Sequence, residues 1–200
     1  YLTIPYLLFS TIDGRGSKGA LHLYNKFHIE NPSNMFVLEY ASRPDLAKIF
    51  YEDVLMAAFF YGYPLLVENN KYGIVRYFES RGYDGYLMDR PEHLKSANAK
   101  VNVKTKGIPS NSQDVIQAHA HAIEQYVYDH VGINYDTGDM GKMYLNRTLE
   151  DWIGFKINDR TKFDLTISSG LALLAAQKSK PKEKTDFTER KFFRRYKPIG

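Results

Sequence analysis

Two carboxylates in this chain stand where chemistry is usually placed. Glu68 ends the run Pro64-Leu65-Leu66-Val67, which is apolar on both faces and reads as a central strand of a sheet covered on both sides. Charge is almost never buried without a partner, so Glu68 belongs at the strand's C-terminal end, where open α/β sheets bind their ligands. Asn69 and Asn70 follow, and Lys71-Tyr72-Gly73 opens a helical pattern, so the same residues also read as a polar turn capping the next helix. Asp164 is the second anchor, in Thr161-Lys162-Phe163-Asp164-Leu165 at the start of the last apolar helix. As a helix N-terminal acid it would favour the helix dipole by about 0.3–1 kcal/mol. The small-residue stretch Ser168-Ser169-Gly170-Leu171-Ala172 lets that helix pack closely on a sheet, which would bring Asp164 to the strand ends near Glu68. The chain has no Cys, hence no disulfide framework and no thiolate metal site. Histidine offers less. His119 and His121 are two apart on a helix and face different directions, which favours surface positions over a shared metal; His22 and His28 have no carboxylate spacing to support a role.

The elements that must position these acids follow from periodicity. Residues 7–12 are apolar and β-prone and read as a first strand, with a Gly-rich loop after it from Asp13 to Gly19. Residues 20–24 and 35–40 read as a second and a third strand across the turn Asn31-Pro32-Ser33-Asn34, which makes an antiparallel meander. A helix starts at Arg43-Pro44-Asp45, with Leu46, Ile49, Phe50, Asp53, Val54, Ala57 and Phe60 at helical spacing, and Gly62 stops it. The strand ending at Glu68 comes next, then a helix over residues 72–80 ended by Gly82, then a short fifth strand at Tyr86-Leu87-Met88. The order β-β-β-α-β-α-β gives a mixed sheet, an antiparallel three-strand meander followed by parallel crossovers, with helices on its faces. That is the order of ribonuclease-H-like α/β folds. Val101 and Val103 suggest one more strand within a polar stretch. Residues 111–130 form a long helix, 134–142 a loop, Leu149 to Phe155 a short helix, 159–161 a turn and 163–177 the last core helix.

Two hundred residues with 44% hydrophobic content can bury a sizeable core, and no run reaches the ~18 apolar residues of a membrane span. No membrane partner is expected. The start, Tyr1-Leu2-Thr3-Ile4-Pro5, lacks Met and a basic n-region and reads as a cut fragment rather than a signal peptide. The absence of Cys suits a reducing compartment. The formal charge of +4 is unevenly spread: residues 178–200 hold nine Lys or Arg against three acids, so the body is mildly acidic and the tail basic. The chain thus divides into a core domain, 1–177, and a basic C-terminal tail, 178–200. A basic arm is a common nucleic-acid contact, and solubility tails look the same. Phe192-Phe193-Arg194-Arg195-Tyr196 interleaves rings and charges, which serves single-strand stacking or docking on a partner domain equally well.

An ordered set of motifs resembles the C-terminal nuclease domain of the large terminase subunit of tailed bacteriophages. It runs through Val37-Leu38-Glu39-Tyr40-Ala41-Ser42-Arg43-Pro44, a long apolar helix ending in Phe59-Phe60-Tyr61-Gly62, and Val67-Glu68-Asn69-Asn70-Lys71-Tyr72-Gly73. Lys104-Thr105-Lys106-Gly107 is similar to the family's segment ahead of its long helix, and Phe163-Asp164-Leu165 before a small-residue helix resembles its final acidic motif. The match covers most of residues 20–177.

The resemblance implies a ribonuclease-H-like endonuclease that cuts concatemeric double-stranded DNA in the host cytoplasm, working with a terminase ATPase domain and a viral portal. Such sites use carboxylates and two divalent ions, Mg²⁺ or Mn²⁺, which prefer oxygen donors. Glu68 and Asp164 match the family's second and third acids. The first usually sits on strand one, where this chain has Ile4-Pro5-Tyr6; Asp13, at the strand-to-loop junction, would serve instead. Arg43, Lys104 and Lys106 are candidate phosphate contacts, with solubility as the plainer role for each. No Gly-x-x-x-x-Gly-Lys-Ser/Thr motif is present, so ATP hydrolysis is not expected of this chain. Two rival readings remain: a catalytically decayed nuclease fold that binds nucleic acid or docks on a capsid, and another ribonuclease-H-like nuclease such as a junction resolvase.

Overall fold

The computed structural model describes residues 6–10, 18–26, 32–70, 72–91, 105–109, 113–131 and 143–177. These form an α/β fold. Three strands, β1 (Tyr6–Ser10), β2 (Gly19–Asn25) and β3 (Met35–Ser42), make an antiparallel meander, and β4 (Leu65–Val67) joins β1 in parallel, so the sheet order is β3-β2-β1-β4. Helices α1 (Ala47–Tyr61) and α2 (Gly73–Ser80) cover one face. The other face carries α5 (Asp164–Gln177), with α3 (Gln113–Tyr126) and α4 (Asn146–Gly154) packed against it.

Alternation along the strands sorts side chains between two cores. Leu21 and Leu23 of β2 and Leu65 and Val67 of β4 pack with Phe50, Val54, Ile74 and Phe78 beneath α1 and α2. Tyr24 and Leu66 lie in the opposite core with Phe36, Ile108, Tyr126 and Leu171. β4 is therefore buried on both faces, as its unbroken apolar run predicts. Helix α5 is buried all round from Leu165 to Ala176, because it lies between the sheet and the α3 and α4 helices. Its small residues serve both sides. Ser168 meets the sheet at His22, while a Cβ on Gly170 would sit 3.2 Å from the Cβ of His119 on α3.

Several elements depart from the sequence expectation. The first helix begins at Ala47, not at Arg43-Pro44-Asp45: the β2–β3 ladder runs to the Gly19–Ser42 pair, and Leu46, just ahead of the helix, is still extended (φ −118°, ψ 123°). Its buried stripe is Phe50, Val54, Leu55 and Ala58; Leu46, Ile49 and Phe60, expected to be apolar contacts, face outward. Gly62 does stop it, in a left-handed conformation (φ 70°) with its amide bonded to the Ala58 carbonyl. The fifth strand is not regular. A 3₁₀ turn occupies Asp84–Tyr86, Leu87 makes one parallel bridge with Leu65, and Ile108 takes over beside Glu68. Two short segments thus share the edge of β4 in turn, in place of the single strand expected. The long helix ends in a π-type turn over Val127–Val131. His119 is buried, contrary to the surface position expected for it, and His121 is exposed. The proposed strand at Val101 and Val103, the loop at 134–142, His28 and the 178–200 tail lie outside the described residues.

Candidate functional site

Glu68 directly follows β4, where its backbone bridges Ile108. The neighbouring amides hold this end in place. Asn69 is buried, its backbone amide donates to the Ile108 carbonyl (2.9 Å), and its side chain donates to the Lys106 carbonyl (2.6 Å). Asn70 donates from Nδ2 to Glu68 Oε1 at 2.7 Å, which orients the carboxylate. Gly107 is required opposite. Its φ is +75°, and a Cβ there would fall 2.3 Å from the Val67 carbonyl oxygen.

Asp164 is the first residue of α5, so the helix-dipole reading holds. Its surroundings hold more than that reading requires. Oδ2 accepts the backbone N–H of Lys18, at the start of β2, at 2.9 Å. Burial, with the charges of Asp151 and Glu68, pushes the carboxyl up from 3.8 to about 6, against the lowering effect of the Lys18 amide and charge. The Glu68 charge, far away in sequence, is thus one of the lesser contributions that raise Asp164. Arg43 is exposed one residue past the Gly19–Ser42 pair, at this same end of the sheet.

Asp151 on α4 is the acid that sequence reasoning missed. Burial raises its pKa, and the Thr166 and Leu165 amides and the Thr166 hydroxyl counter this. It works as a cap supplied from another helix: Oδ2 accepts both the N–H (2.7 Å) and the hydroxyl (2.8 Å) of Thr166 in the first turn of α5. Glu39 of β3 does the same for α4, accepting the N–H (3.1 Å) and hydroxyl (2.6 Å) of Thr148. The residue before each helix, Leu145 and Phe163, has no side chain able to cap. The legible signal was a Thr in the first turn of two helices that lack a capping residue.

His22, set aside in the sequence for want of a carboxylate spacing, is fully buried. Nδ1 lies 3.0 Å from Ser168 Oγ on α5, and Nε2 lies 2.8 Å from Thr148 Oγ1 on α4. Burial and the Arg147 charge lower its pKa to about 3, so the ring is neutral. Lys106 is half-buried; its ammonium donates to the Leu87 carbonyl (2.9 Å) and pairs with Asp89 (3.0 Å), tying the crossing segments together. Asp13 and Lys104 lie outside the described residues, so of the three expected acids Glu68 and Asp164 are the two described. Among the described residues no group of three or more His, Cys, Asp or Glu is arranged to hold a metal ion, and no helix is long and apolar enough to cross a membrane. No protein-family model, no curated protein and no solved structure matches the chain.

Proposed function

We propose that this chain is a divalent-metal-dependent DNA endonuclease module with a ribonuclease-H-like sheet, of the kind carried by the large terminase subunit of tailed phages. On this reading it cuts concatemeric double-stranded DNA in the host cytoplasm, alongside a terminase ATPase domain and a portal. The observation that carries the reading is positional: Glu68 directly follows β4, and Asp164 opens α5 with its carboxylate on the Lys18 amide, at the end of the sheet where β1 and β4 finish. A meander joined in parallel by β4 agrees with it.

The donor chemistry fits the implied ions. Glu68 and Asp164 are hard oxygen donors, both partly accessible, as Mg²⁺ or Mn²⁺ requires. When bound, such ions supply charge stabilisation at the phosphate and a more acidic water. The chain's own residues preorganise the acids: Asn70 orients Glu68, and the Lys18 amide holds Asp164. On this reading Arg43, exposed at the same end of the sheet, would meet backbone phosphate.

The test is plasmid cleavage in Mn²⁺ by Glu68→Gln and Asp164→Asn. Each substitution keeps size and removes one charge. Each should cut the rate by orders of magnitude, at ~1.4 kcal/mol per tenfold. Cleavage that persists in both variants removes the acids from the reaction. A parent chain that folds and binds duplex DNA but never cuts it favours the decayed-nuclease alternative.

A further inference from the structure

The chain of hydrogen bonds through His22 has a direction. The Thr148 amide and hydroxyl both donate to Glu39 Oε2, so the single Thr148 hydroxyl proton is committed there. Thr148 Oγ1 must then accept from His22, which puts the ring proton on Nε2. Nδ1 is left as an acceptor, and the Ser168 hydroxyl is the donor beside it. The sequence therefore runs from Ser168 O–H to Nδ1, from Nε2–H to Thr148 Oγ1, and from Thr148 O–H to the Glu39 carboxylate.

Ser168, His22 and Thr148 are all fully buried, so no substrate reaches this serine and the arrangement is not a nucleophile with its base. Its reach along the helices gives it another use. Ser168 lies one turn beyond Asp164 on α5, and Thr148 lies one turn before Asp151 on α4. One imidazole on β2 thus touches both helices one turn from the acids they carry. A low dielectric strengthens such a network when every member is satisfied.

We propose that His22 is a positioning residue: its Nε2–H tautomer sets α4 and α5 in register on the sheet and thereby fixes the Asp164 carboxylate beside the Lys18 amide just ahead of β2. The inference goes beyond the nuclease reading, because it concerns geometry and is tested without DNA, metal or activity.

The test is NMR on the full 200-residue chain. Imidazole ¹⁵N shifts at neutral pH should show a protonated Nε2 and an unprotonated Nδ1; the opposite tautomer overturns the assignment. Ser168→Ala removes one hydroxyl and cuts only the α5 branch. It should move the Lys18 and Thr166 amide resonances and speed exchange of the Lys18 amide by ~10-fold or more, while amides of the β2–β3 ladder keep their protection. His22→Phe keeps ring volume and cuts both branches, and should exceed that effect. His22→Asn, whose side-chain oxygen can still accept from Ser168, should recover part of the Lys18 protection. If Ser168→Ala and His22→Phe lower the melting temperature but leave the Lys18 and Thr166 amides unmoved, the network is core packing alone and the proposal fails. If His22→Phe does not fold, Ser168→Ala decides the question.

Discussion

The raised carboxyl of Asp164 makes Asp164→Asn informative about energetics as well as function. A group whose folded pKa exceeds its unfolded one binds more protons in the folded state, so its ionisation costs stability as pH rises from 3.8 to about 6. That interval corresponds to on the order of 3 kcal/mol for a fully enclosed group. Water reaches part of this carboxyl, and screening brings the cost nearer to ~1 kcal/mol. Asparagine removes the cost and keeps an oxygen for the Lys18 amide. Against this, α5 loses an acid in its first turn, at about 0.3–1 kcal/mol. The two terms leave the variant equal to the parent or more stable by up to ~0.7 kcal/mol above pH 7. Below pH 4 the parent carries a neutral Asp164 as well, so the advantage should disappear. The assay is urea unfolding of both chains from pH 4 to pH 8, read as the difference in midpoints, which cancels every group the two share. A variant less stable by 1 kcal/mol or more, with a gap that does not change with pH, would refute the reasoning, since the dipole and the Lys18 hydrogen bond would then outweigh burial and the Asp151 and Glu68 charges.

Three further outcomes follow. Gly107→Ala must adopt φ +75° with its Cβ against the Val67 carbonyl, and should destabilise by roughly 2–4 kcal/mol in a urea titration. Glu39→Gln keeps one acceptor for Thr148 but loses the charge at the start of α4, so it should cost about 1 kcal/mol by the same measurement, with Glu39→Ala costing more. His22 is held neutral, with its pKa lowered from 6.5 to about 3, so its contribution is complete above pH 6.5 and is lost as pH falls toward 3; His22→Gln should flatten that acid limb of the stability curve.

A feature of this chain is legible in the sequence where its signal is local. The apolar run ahead of Glu68 marks a segment that avoids water on both faces and Gly62 marks a helix stop, and the structure bears both out. The α1 boundary differs from its expected place: β3 runs to Ser42 and Leu46 is still extended, so the helix starts four residues after Arg43. Likewise the segment around Leu87 is apolar enough to suggest a strand, yet β4 accepts two short neighbours in turn. The acids divide the same way. Sequence alone marks Glu68 as a carboxylate at a strand end and Asp164 as one at a helix start. Only the packed fold puts the charge of one within reach of the other, hands Asp164 an amide from a residue 146 positions away, and lets Glu39 cap a helix 109 positions on. His22 shows the reason most clearly. Its neighbours in sequence are two leucines that face the opposite core, and the hydroxyls that complete it come from helices whose positions follow from the burial of all the others. Periodicity encodes where each segment's apolar surface points; which polar groups then meet is settled by how the layers close over it.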